Sequence, residues 1–283
     1  MTDSVQVSVV IPTLGRPRLL AECLRSLERC APQAAEVVVV DQSRDTTVAE
    51  LVASFSGTRA RLVPVARPNV ARARNEGLRH AECDVVLFTD DDCTVAESWV
   101  GVGWRLMKAD SDRIVTGRVL PGGPDVPSIR ESEERHDHTG ELQCGVLDSN
   151  NLLVPRPALL DFGAFDERLA VAAEDNDLCY RWLRAGRRLW YEPDLVVWHQ
   201  AWRAPEELAR TYDNYWRGQG VFYAKHLRRG DINVLRLLGG DVNGGLRALA
   251  AEKLRRRRRS WSAPRLRPLA AGLVRGPRAP ERG

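Results

Sequence analysis

Asp84–Asp92 reads DVVLFTDDD, an apolar run that stops on three adjacent carboxylates. A segment this uniformly apolar, rich in β-branched and aromatic residues, is the pattern of a strand covered on both faces, as in a parallel sheet. Three neighbouring carboxylates repel one another, so their place at the end of such a strand calls for a compensating charge. A hard divalent cation meets that need, because it takes oxygen ligands and commonly links one or two carboxylates to a diphosphate. In an extended segment Asp90 and Asp92 point the same way and Asp91 the other way, so the i, i+2 pair is set to share one ion. A solvated acidic turn capping the next helix, with Asp92 or Thr94 as N-cap, accounts for the same residues without a ligand.

Upstream, the chain alternates. Val5–Pro12 (VQVSVVIP) reads as a buried strand, and over 17–30 Leu19, Leu20, Cys23, Leu24 and Leu27 share one helical face. Glu36–Asp41 (EVVVVD) is a second strand ending on a carboxylate; a helix over 47–55, a short strand over 61–65 and a helix over 71–80 follow. This order predicts an α/β fold with a doubly wound, mostly parallel sheet flanked by helices. Ligands in such sheets lie beyond the carboxyl ends of the strands, where Asp41 and Asp90–Asp92 both fall. Downstream, residues 121–143 read as a breaker-rich mobile loop. A helix from Glu174 to Ala185 is closed by Gly186, a short strand covers 188–191, and 205–229 is helical.

The 283 residues carry a net charge of +4, unevenly spread. Residues 251–283 hold eleven Lys or Arg and two acids, against 31 and 36 in the first 250, so a weakly acidic body carries a basic tail. The six cysteines show no CxxC pair or zinc spacing, and most sit in apolar stretches, which favours a reducing compartment. No signal-peptide pattern and no membrane-length apolar run is seen, so the expectation is a cytoplasmic protein.

Four segments in order, VSVVIPTLGRPRLLAECLRSL, VVVVDQSRD, PNVARARNEGLRHAECDVVLFTDDD and NNLLVPRPALLDFGAFDERLAVAAEDNDLCYRWLRAGRRLWYEPDLVVWH, resemble the family 2 glycosyltransferases of the GT-A fold. The resemblance covers about residues 5–200. It implies a nucleoside-diphosphate sugar donor, Mn2+ or Mg2+ as cofactor, and inverting transfer of a hexose-type unit to an acceptor hydroxyl. It also implies roles for particular residues. Asp41 would accept a hydrogen bond from the nucleobase, Pro12 and Thr13 would line the nucleoside pocket, and Arg74 would face the nucleotide. Asp90 and Asp91 would meet the nucleotide sugar, Asp90, Asp92 and His199 the metal, and Asn151 the sugar hydroxyls. Asp175 would be the catalytic base, with Glu174 positioning it or binding the acceptor. Each has a structural alternative: Asp41 as a turn residue, Asn151 as a turn former, His199 as a packed core histidine, and the acids of residues 174–177 as partners of the helix dipole.

The domain expectation is a GT-A domain over 1–204, with a nucleotide-binding half to 118 and an acceptor-side half from 119. A helical extension over 205–250 and a basic tail over 251–283, disordered or held against an anionic membrane, follow. The acceptor class stays open among glycan, lipid-linked and small-molecule hydroxyls, and no nucleic acid is expected. Two other readings remain: a nucleotidyltransferase, for which IPTLGRPR is a poor phosphate loop, and a non-catalytic nucleotide-sugar-binding module.

Overall fold

A computed structural model describes residues 5–55, 57–170, 172–255 and 263–277. The chain divides into two compact units, one of residues 1–165 with 178–201, the other of residues 166–177 with 202–283.

In the first unit the elements run β1 (Val7–Thr13), α1 (Pro17–Glu28), β2 (Glu36–Asp41), α2 (Thr47–Ser54), β3 (Ala60–Pro64), α3 (Val70–His80) and β4 (Val85–Thr89). They continue with β5 (Cys93–Val95), α4 (Trp99–Ala109), β6 (Arg113–Pro121), β7 (His136–Asp137), β8 (Asn151–Pro155), α5 (Arg156–Asp161), the later turns of α6 (Glu174–Arg184), and β9 (Arg188–His199). The strands form one sheet in the order β3-β2-β1-β4-β8-β6-β9-β5, with β7 paired to β9. The half from β3 to β4 is parallel as expected, whereas β8 runs antiparallel to both its neighbours, so the other half is mixed.

The strand residues divide between two cores with a period of two, as the pleat dictates. Val7, Val9, Ile11, Val37 and Val39 pack with Leu20, Cys23, Leu24 and Leu27 of α1 and with Trp99 and Met107 of α4. Val10, Val38, Val40, Val86 and Phe88 pack with Ala71, Ala73 and Leu78 of α3 and with Leu178, Cys179 and Trp182 of α6. Every residue of β1 and β2 is buried, which explains why their sequences show no polar alternation. Register sets Thr13 opposite Asp41, so the carboxyl ends of β1 and β2 lie level.

Among the elements the sequence reading leaves out are β5, α4 and β6. The strand expected at 188–191 is also longer, reaching His199 through Pro193. It tolerates that proline because the ladder between β6 and β9 shifts at Gly117/Arg118, a bulge where no amide of the loop 193–195 is needed. The 121–143 loop gains a backbone bridge from Val119 to Arg130 and the two-residue strand β7.

The second unit consists of α7 (Pro205–Leu227), α8 (Val234–Arg255) and α9 (Leu266–Arg275), together with residues 166–177, which include the first turn of α6. Of the two alternatives for the tail, disorder is corrected over Leu266–Arg275, which folds as α9 and buries Leu269 and Gly272. Two glycines make the packing on α7 possible: a Cβ on Gly220 would lie 2.1 Å from the Leu269 carbonyl oxygen, and one on Gly272 2.0 Å from that of Arg217. The pentaarginine run of residues 255–259 lies, beyond its first residue, outside the described residues. No helix among the described residues is long and apolar enough to cross a membrane.

Candidate active site

The site is built on the carboxyl end of β4. The segment after Thr89 is not extended: the Cys93 amide donates to the Asp90 carbonyl at 3.1 Å, closing a turn. The three carboxylates therefore point to three different sets of partners rather than alternating across a strand. Asp90, about a quarter exposed, accepts a 2.8 Å bond from the guanidinium of Arg74 on α3, which is itself buried and stacked over the ring of Phe165. Asp92 is buried beside His199 and accepts from Arg16 Nη1 at 3.1 Å.

Asp91 turns inward and is fully buried. It accepts from Thr13 Oγ1 at 2.7 Å and from Arg16 Nε at 3.0 Å, with a second Arg16 nitrogen 2.7 Å from its other oxygen. Burial pushes its carboxyl up to about 7, against the pull of Arg16 and Thr13. The expectation that Asp91 meets the nucleotide sugar is corrected: its oxygens face the protein and clamp the turn onto the end of β1. Arg16, raised above its ordinary value by the three aspartates despite burial, is the residue that sequence reading missed. Its signal was present in GRPR, a cation between a strand end and a helix start.

Asn151 is also corrected. It opens β8 fully buried, with every polar atom of its amide engaged. The Trp99 indole N–H donates to Oδ1 at 2.9 Å, and Nδ2 donates to the carbonyls of Arg118 and Leu195 at 2.9 and 2.7 Å. It fills the gap at the β6–β9 bulge, and its amide is turned wholly into the protein.

Asp41, at the end of β2, is buried and accepts the Ser43 amide through Oδ1 at 2.8 Å, the turn geometry foreseen as its structural alternative. Pro12 and Thr13 are buried in β1, and the Thr13 carbonyl accepts the Gln42 amide.

His199 ends β9 opposite Cys93 of β5. Its Nδ1 lies 2.8 Å from the Pro127 carbonyl oxygen, which only accepts, so that nitrogen carries a proton. The other ring nitrogen, Nε2, has no hydrogen-bond partner and sits 3.4 Å from Asp92 Oδ1. A ring nitrogen and a carboxylate oxygen facing each other in a buried place can be bridged by a cation, a proton or a metal ion. A nitrogen and a carboxylate oxygen suit Mn2+ or Mg2+, and the donors of Asp92, Cys93 and His199 lie within 4.8 Å of one another. Cys93 is the poor member, since burial and the nearby aspartates push its thiol well above its ordinary value and keep it protonated. Asp92 and His199 thus fit a divalent ion, which would supply charge neutralisation for a diphosphate.

In the second unit, Glu174 and Asp175 open α6 after Ala173, whose φ of 71° is a strained left-handed backbone. Glu174 is buried; Asp175 is half-buried and accepts the Asn176 amide at 2.7 Å. This first turn is pinned from α7. Buried Asp177 accepts from Lys225 Nζ at 2.5 Å and lies 2.9 Å from His226 Nε2, while Lys225 also reaches Asp166 at 2.6 Å. Burial would raise the Asp166 carboxyl, but bonds from Arg168 and Lys225 outweigh it and hold it well below the usual range. Lys225 and His226 carried no signal in the sequence beyond a basic helix end.

A family model described as glycosyl transferase family 2 matches residues 8–169. The pre-mycofactocin glycosyltransferase of Mycobacterium tuberculosis (strain CDC 1551 / Oshkosh) is 28% identical over 230 residues, 77% of this chain and 46% of that protein. Glycosyltransferase AglE of Haloferax volcanii is 25% identical over 225 residues, covering 75% of this chain and 72% of its own. The chain spans about half the length of the mycobacterial relative. Among solved structures, S. aureus TarS 1-349 superposes with a TM-score of 0.56 at 20% identity over 76% of this chain and 65% of that one. GalNAc-T7 with UDP, GalNAc and Mn2+ gives 0.59 at 17% over 79% and 51%. The shared fold is GT-A.

Proposed function

The chain belongs to glycosyl transferase family 2, and from that premise we propose that it moves a hexose-type sugar from a nucleoside diphosphate to an acceptor hydroxyl, with inversion. The observation that carries the metal-dependent part is the unbonded His199 Nε2 facing Asp92 Oδ1 beside the end of β4. In this reading Asp92 and His199 would hold Mn2+ or Mg2+, which would supply positive charge to neutralise the donor diphosphate. Arg74 bonds Asp90 and orients it toward the same diphosphate end. Thr13, Arg16 and Asp91 fix the turn so that the ligands need no reorganisation when the donor arrives. Asp41, with Pro12 and Thr13 beside it, meets the nucleoside.

Asp175 takes the proton of the acceptor hydroxyl as that oxygen attacks the anomeric carbon and the bond to the diphosphate breaks. The Lys225 and His226 contacts to Asp177 hold its helix turn, and Glu174 positions it or binds the acceptor. Placement in the cytoplasm, with the basic residues of 251–283 against an anionic inner leaflet, belongs to the same proposal. Exposed Ile232, Leu235 and Leu246 near and on α8 support it, since apolar side chains with nearby arginines suit a membrane interface. Replacing Arg255–Arg259 by glutamine should then weaken binding to phosphatidylserine vesicles; equal partition would refute the contact.

The test of function is a thermal-shift panel of nucleoside diphosphates and their sugars, with and without Mn2+. UDP comes first, because TarS has been solved with UDP and UDP-GlcNAc and GalNAc-T7 with UDP and Mn2+. Ligand binding to the native state raises apparent stability by mass action. A Mn2+-dependent upward shift by one nucleotide is expected; no shift with any nucleotide would overturn the reading.

A further inference from the structure

The second unit contains a cavity of about 180 Å³ whose lining includes Arg168, Arg217, Arg275, Gly218, Leu169 and Val221, and no carboxylate. From it we infer a phosphate-binding site outside the donor site, a property beyond the sugar-transfer reading.

The charge at the cavity is not neutralised from within. Arg168 gives Nε and one terminal nitrogen to Asp166 at 2.8 and 2.6 Å, but that carboxylate is shared with Lys225. Arg217 reaches only Asn214 Oδ1, at 3.5 Å, and its Nε is buried with no hydrogen-bond partner. No carboxylate of the described residues pairs with Arg217 or Arg275. The one feature opposing an anion is the C-terminal end of α9, where Arg275 also sits in the last turn.

The arginines are brought together by backbone contact. A Cβ on Gly218 would lie 2.6 Å from the Ala172 carbonyl oxygen, so only glycine lets α7 lie against the 168–172 segment. Gly272 does the same between α9 and the Arg217 carbonyl, one turn before Arg275. At about 180 Å³ the cavity is enough for a phosphate group and lies below the roughly 300–1,000 Å³ of pockets that hold larger ligands. Guanidinium forks match phosphate oxygens in geometry and charge, and Leu169 and Val221 at the wall suit a phosphate carried on an apolar body. The ligand chemistry is a phosphate monoester dianion, free or as a lipid headgroup.

The test measures inorganic phosphate binding by calorimetry at low ionic strength without Mn2+, on the full chain and on Arg217→Gln and Arg275→Gln. Each variant should weaken phosphate about tenfold, the loss of one charge-assisted hydrogen bond, while UDP binding in Mn2+ stays unchanged. Vesicles of phosphatidylcholine with phosphatidic acid, against phosphatidylserine at matched charge, separate the two sources. A preference for phosphatidic acid that both variants lose identifies the lipid headgroup, and phosphate binding without that preference identifies the free ion. Arg275 is exposed, so its variant keeps the test open should Arg217→Gln misfold. Phosphate affinity unchanged in a folded Arg275→Gln, or neither saturable phosphate binding nor a phosphatidic acid preference in the parent, would overturn the inference.

Discussion

Asn151→Ala separates two accounts of one residue, ligand to a donor sugar or staple of the sheet. In the fold, its amide serves three buried groups: the Trp99 indole N–H and the carbonyls of Arg118 and Leu195. Alanine leaves all three without a partner, and Gly117, whose added Cβ would lie 2.2 Å from Asn151 Nδ2, contributes no side chain to fill the space. Orphaned buried groups cost ~1–3 kcal/mol each, so the low end of that range gives about 3–4 kcal/mol. For a unit of this size that corresponds to a melting temperature lower by about 6–16 °C. Asn151→Asp should do no better, because it keeps the acceptor for Trp99 but sets a carboxylate against two carbonyl oxygens. The assay is a thermal scan by near-ultraviolet circular dichroism, paired with UDP titration in Mn2+ at low temperature, where both proteins are folded. Melting within a degree or two of the parent, together with weakened binding of a UDP sugar, would refute the staple.

Other consequences are as direct. Asp92→Asn and His199→Ala should each abolish the Mn2+ dependence of nucleoside diphosphate binding, read by calorimetry, because the site has few other ligands; unchanged affinity in Mn2+ would remove the metal from this pair. Asp175→Asn should lower kcat by ~10²–10⁴ while the donor Kd barely moves, since a base acts only in the transition state; near-normal transfer would shift attention to Glu174. Asp166 prefers its ionised form in the fold, so its contribution is complete above the unfolded value of about 3.9 and is lost as pH falls toward the lower folded value. Denaturant midpoints of the parent should therefore drop below about pH 4 more steeply than those of Asp166→Asn; parallel curves would contradict the ion pair.

The parallel half of the fold was legible because β1, β2 and β4 are apolar runs separated by amphipathic helices, and each strand end of interest carries a carboxylate. α4 was not, because Gly101 and Gly103 break its helical pattern. The second is explained by packing, since a Cβ there would stand 3.0 Å from Leu87 Cδ1. The common direction expected of Asp90 and Asp92 was misread because the i, i+2 rule holds for extended backbone and the Cys93–Asp90 bond replaces it with a turn. Asn151 was misread because its partners lie at a strand bulge that only the β6–β9 register reveals. Lys225 lies 48 residues from Asp177, a separation at which no local pattern announces a pair.

The short segment of residues 166–177 has a consequence for recombination among relatives. It lies within the family-matched sequence or just after it, yet its acids are claimed by Arg168 and by Lys225 and His226 near the end of α7. A chimaera joined once, at residue 202, would inherit Asp177 from one parent and its cations from another. Stranding a buried charge in this way costs about 3–5 kcal/mol. A viable exchange therefore needs two crossovers more than joins at one, carrying 166–177 along with the helices after 201. Lineages that change what this unit does should show those two stretches changing together.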